Sequence, residues 1–133
     1  MSFKYQSEQD SGLILVSAEI DLKHEINMIF DTGATNTTID SNTLHLLGYD
    51  LNTSIGIVEI ETANGIVTTN LFEISTFTIF GITKTRFQVQ VYDFLAHGVF
   101  SDYDGLLGID FWNGLTFCIN TVHKTISIND AND

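Results

Sequence analysis

Apolar and polar residues alternate with a period of two along much of this chain, and short clusters of Gly, Asn and Asp interrupt the alternation. Residues 13–20, opened by Gly12, read as a strand. A turn over 21–24 returns the chain into a second strand that ends at Phe30. Residues 40–48 read as a short helix, with Asp40 or Ser41 as N-cap and Gly48 beyond its C-terminus. Two extended runs, 57–62 and 66–71, flank Ala63-Asn64-Gly65, and Asn-Gly between β-rich arms is a strong hairpin signal. Strands over 72–80 and 85–92 follow around a turn at Gly81, and then a loop without period over 93–103. Leu106 and Leu107 lead into Gly108, residues 110–115 suggest a helical turn, and 116–128 a closing hairpin. Many short strands with tight turns and little helix predict an all-β fold, a small barrel or sandwich.

Composition sharpens this picture. Ten Phe, four Tyr and one Trp, with abundant Ile, Val and Thr, favour sheet, and the absence of Pro leaves turns to Gly, Asn and Asp. At 133 residues and 44% hydrophobic, the chain can bury one real core. The expected organisation is a polar arm or frayed strand over 1–11, one domain over 12–128 and a loose tail over 129–133.

Formal charge is −12, with 5 basic and 17 acidic residues. That balance argues against nucleic acid and anionic membranes as partners, because both need neutralising Lys and Arg. A lone cysteine, Cys118, cannot form an internal disulfide and fits a reducing compartment. The first residues lack the apolar core of a secretory signal, and no apolar stretch is long enough to span a bilayer, so the expected location is cytoplasmic.

The chemistry concentrates at Asp31-Thr32-Gly33-Ala34-Thr35, which follows the apolar run 26–30 and precedes the small, hydroxyl-rich segment 36–39. A carboxylate at the end of a buried strand is expensive to keep ionised. A Gly two residues later suggests a sharp turn or the close approach of another backbone. A reactive carboxyl would be built this way.

This loop resembles the active-site loop of the aspartic proteases, and Asp104-Gly105-Leu106-Leu107-Gly108-Ile109-Asp110 resembles the apolar-apolar-Gly segment that follows it in that family. One such loop in 133 residues is similar to the single-domain retropepsins, most of all their bacterial members, over residues 12–128. The resemblance implies a small closed β-barrel with one or two short helices. It further implies an aspartic endopeptidase built as a homodimer, in which Asp31 of each copy meets its mate and a water is activated between them. Thr32, Gly33 and Ala34 would support the site, Gly108 would pack beneath it, and the hairpin at Ala63, Asn64 and Gly65 would be a flap over an extended peptide. Neither cofactor nor metal is implied; the partners are a second copy and a peptide or protein substrate. Where many viral members carry an Arg after the second Gly, this chain has Ile109, and Asn36 replaces a common acid or Ser. Nor do the terminal segments match the interleaved strands of the viral dimers.

Rival readings are fewer. Asp10-Ser11-Gly12 also fits the Asp-Ser/Thr-Gly pattern, but it follows a polar arm and reads as a surface turn. Asp104 and Asp110 read as turn and cap residues. His24, His45, His97 and His123 lack metal-ligand spacing, and Cys118 in an apolar strand reads as a small core residue. Two alternatives to a general endopeptidase are a peptide-binding or dimerisation module with the same fold, and a processing enzyme restricted to one protein.

Overall fold

Val16, Ala18 and Ile20 are buried while Ser17 and Glu19 between them face solvent, which is what strict alternation requires of a one-sided strand. The computed structural model, which describes residues 1–7, 12–53, 55–62, 65–96 and 102–130, contains eleven strands and one short α-helix. They are β1 (Ser2–Lys4), β2 (Gln6–Ser7), β3 (Ile14–Ile20), β4 (His24–Phe30), β5 (Thr38–Asp40), α1 (Ser41–Leu46) and β6 (Gly56–Thr62). Then come β7 (Gly65–Ile79), β8 (Ile82–Tyr92), β9 (Gly105–Leu107), β10 (Leu115–Asn120) and β11 (Thr125–Asp130), with a 3-10 turn at Ile109–Trp112.

Six of these strands close a barrel in the order β3-β4-β9-β5-β8-β7, sealed where Glu19 and Ile20 pair with Thr78 and Phe77. Its neighbours are antiparallel except β4 with β9 and β5 with β8, which run parallel. Ile20, Met28, Ile39, Ile74, Phe77, Ile79, Val89 and Leu107 fill the interior, joined by Leu44 from α1 and Phe111 from the 3-10 turn. The expected all-β barrel is therefore what forms, and α1 begins at the predicted cap: the Asn42 amide donates to the Asp40 carboxylate at 3.2 Å.

Two regions lie outside the barrel wall. β6 pairs with the first part of β7 up to Thr62 opposite Gly65 and forms the predicted hairpin; its tip residues Ala63 and Asn64 lie outside the described residues. A second, three-stranded sheet runs β1-β11-β10. Its Phe3 stacks on Phe80 at 4.7 Å and its Phe117 meets Phe30 edge-on at 5.5 Å, which fixes it against the barrel.

Three details differ from the expected elements. β7 is one strand of 15 residues where two were expected, because Asn70 and Leu71 pair with β6 on one side and β8 on the other. The polar arm contributes β1 and β2, and β11 runs on to Asp130, two residues past the expected end of the domain.

Candidate active site

β4 is one-sided at its start and buried on both faces at its end, where Met28, Ile29 and Phe30 are all enclosed. Phe30 lies against Trp112 at 5.3 Å as well as against Phe117. This packing anchors the last residue before Asp31. The Asp31 amide then donates to the Leu107 carbonyl at 3.1 Å, carrying the β4–β9 ladder one step beyond the strand.

From there the chain turns outward. The Ala34 amide donates back to the Asp31 carbonyl at 3.2 Å, and the Gly33 amide donates to Asp31 Oδ1 at 2.9 Å. The carboxylate is thus aimed by its own loop. Asp31 and Ala34 are half-buried while Thr32, Gly33, Thr35 and Asn36 are exposed. Among the described residues no Lys or Arg pairs with Asp31, and the Thr32 hydroxyl has no hydrogen-bond partner.

The segment after β9 cradles this loop from below. The Ile109 amide donates to the Ala34 carbonyl at 2.8 Å, and the Gly108 amide donates to Thr37 Oγ1 at 3.1 Å. Thr37 is fully buried; its hydroxyl donates to Asp110 Oδ1 at 2.8 Å, and its amide reaches both Asp110 oxygens at 3.1 Å. A Cβ on Gly108 would come within 2.5 Å of the Asn36 carbonyl carbon, so this glycine is needed for the approach of two backbones. Gly105 is similar: a Cβ there would run into the Thr38 carbonyl oxygen.

The Asp104 carboxylate fastens β4 to α1. One of its oxygens accepts from the Asn27 amide at 2.9 Å and the other from the Thr43 hydroxyl at 2.9 Å. Asp104 and Asp110 are therefore clamps in the backbone, close to the turn and cap roles expected of them. Thr37 was visible only as part of a hydroxyl-rich segment; its partnership with Asp110 joins residues 73 apart.

Asp31, Thr32, Gly33, Ala34 and Gly108 come together as one unit. Gly65 stands at the base of the hairpin tip with φ of 115°, while Ala63, Asn64, His97, Asp10 and Ser11 lie outside the described residues. Among the described residues no group of three or more His, Cys, Asp or Glu could hold a metal ion.

A model of the aspartyl protease family matches residues 16–111 of this chain, a stretch that contains the whole Asp31 loop and the Gly108 cradle. The chain belongs to the aspartyl proteases. Among solved structures it is similar to a retropepsin-like aspartic protease from Rickettsia conorii, with a TM-score of 0.72 and 19% identity over 98% of this chain and 91% of that one. At that identity the likeness speaks for the fold, which is retropepsin-like. No curated protein matches the chain. Aspartyl protease membership and this barrel together point to a hydrolase, and β1, β2, β10 and β11 fall outside the family match.

Proposed function

We propose that the protein is an aspartic endopeptidase that works as a homodimer. The reading rests on one observation: Asp31 stands on an outward-facing loop, oriented by the Gly33 amide and, among the described residues, without a Lys or Arg partner. A lone carboxylate is poorly suited to peptide hydrolysis. Two held about 3 Å apart share one proton, so that one acts as base and the other as acid. Since the chain supplies a single such loop, the second carboxylate comes from a second copy related by a two-fold axis.

In this mechanism the charged Asp31 takes a proton from a water between the two, and the neutral one donates to the scissile carbonyl. The Thr32 hydroxyl, without a partner among the described residues, reaches across the axis to the partner loop. Gly33 leaves room for that approach; even an added Cβ within the same chain would sit 3.3 Å from Asp31 Oδ1. The β6–β7 hairpin closes over an extended peptide, and its exposed Ile57 and Ile66 give it apolar surface for doing so. Cys118, expected in the core, instead lies on the exposed face of β10, and a cytoplasmic, reducing location agrees with its free thiol.

The test compares wild-type protein with Asp31→Asn on a diverse peptide library at mildly acidic and neutral pH. Cleavage by the variant should fall at least about a thousandfold, since a group that forms the reacting pair is lost. Equal cleavage by both proteins, or activity that depends on added metal, overturns the assignment.

A further inference from the structure

The strand that lies beneath the Asp31 loop has a free edge. β10 pairs with β11 on one side only, and among the described residues nothing pairs with its other side. Backbone direction on that edge follows from its neighbours. The Ile128 amide and carbonyl both bond to Met1, toward β1, so those of Ser127 and Asn129 point toward β10. Their partners Cys118 and Thr116 must point back. Leu115, Phe117 and Ile119 are left with outward-facing N–H and C=O groups.

Exposed sheet edges invite pairing with another chain unless they are short or charged. Other free edges here are guarded in that way: β1 carries Lys4, β6 carries Glu59, and β2 has two residues. β10, Leu-Thr-Phe-Cys-Ile-Asn, has six residues and no charge in a chain of net charge −12. Its inner row, Leu115, Phe117 and Ile119, is half-buried against the core, so further apolar surface remains to be covered.

The geometry points to β10 as the edge along which a second copy of this chain pairs, antiparallel about a two-fold axis through Phe117. Only that register uses all three outward residues at once, with Phe117 opposite Phe117 and Leu115 opposite Ile119. It also runs the axis beside Phe117, whose ring touches Phe30, the residue before Asp31. One symmetry operation then joins the two sheets and draws the two Asp31 loops toward each other. The inference rests on the homodimeric reading above and names its interface.

In this register Thr116 of one copy faces Cys118 of the other as a non-hydrogen-bonded pair, with Cα atoms about 4.5 Å apart, within reach of a disulfide. The two Cys118 residues are diagonal neighbours about 7–8 Å apart, beyond that reach. Thr116→Cys, a change at an exposed site, should therefore give a covalent dimer as the major species under mild oxidation, with only traces from wild type. Ile119→Pro removes an outward N–H that no bond among the described residues uses. It should sediment as a folded monomer with an unchanged circular dichroism spectrum and no peptide cleavage.

An active, dimeric protein whose Thr116→Cys variant does not cross-link overturns the interface alone. So does an efficient Cys118–Cys118 cross-link in wild type, which marks a different register. A protein that stays monomeric at all concentrations overturns both the interface and the paired-Asp31 reading. A cross-linked dimer that cleaves nothing upholds the interface and removes the catalytic reading.

Discussion

A methyl group on Gly108 has nowhere to go: besides the Asn36 carbonyl carbon it would meet the Thr37 amide nitrogen at 2.8 Å. Both neighbours are backbone, held in turn by the Asp110 carboxylate, so neither can swing aside. Gly108→Ala should cost about 2–3 kcal/mol and lower the melting temperature by roughly 10 °C. An unchanged melting temperature would mean that the two segments have room to part. At this scale the sequence was informative about single positions and silent about pairs. Asp31 and Gly108 could be singled out because motif residues carry their conformational and chemical demands with them. The Thr37–Asp110 bond could not, because a buried hydroxyl and a carboxylate 73 residues apart leave no local signal of their meeting.

Between elements, the segment after α1 is fastened by Tyr49. Its hydroxyl donates to Asp21 Oδ2 at 2.6 Å, in the β3–β4 turn, while Asp21 Oδ1 accepts from the Thr76 amide on β7. Burial, then the hydrogen bond and charge of Asp21, push the Tyr49 phenol above its ordinary range. Folding therefore favours the protonated phenol. The associated stability is present in full below the usual phenol value near pH 10 and is lost as pH rises beyond it. Tyr49→Phe should cost about 1–2 kcal/mol near neutral pH, and the gap to wild type should shrink in strongly alkaline solution. The absence of a gap in denaturant melts would show that ring packing on His24 and Phe72, which Phe retains, and not the hydroxyl, holds the segment.

Hairpins were legible at this level because period-two alternation and turn residues are local. The β7–β8 turn, for instance, needs two residues with positive φ and finds them in Phe80 and Gly81. The parallel pairs β4–β9 and β5–β8 were not legible, since they join strands far apart in sequence. Nor was the continuity of β7, where the adjacent apolar residues Leu71 and Phe72 resemble a break but mark a strand shared by two neighbours.

For the whole molecule, charge and closure set the terms. The −12 net charge could be read directly, and pairing two copies doubles it. Association must then work against long-range repulsion. Raising ionic strength from about 0.01 M to about 1 M shortens the screening length from about 30 Å to about 3 Å and should tighten the proposed dimer several-fold. Sedimentation equilibrium across that series measures it, and weakening with salt would mean that ion pairs, not an uncharged edge, hold the copies together. Closure of the barrel through Glu19 and Ile20 was expected only as a fold class, because two residue pairs decide it.

The insertion of β9 between β4 and β5 has a consequence for synthesis. The Leu107 carbonyl that receives the Asp31 amide, and the Asp110 carboxylate that grips Thr37, leave the ribosome more than 70 residues after the loop they support. A nascent chain that already displays Asp31 has the loop's own bonds but lacks the Leu107 and Asp110 contacts that anchor it. The Asp31 loop takes its final shape only after the segment through Asp110 has been made, and a chain cut short before that segment would lack those contacts.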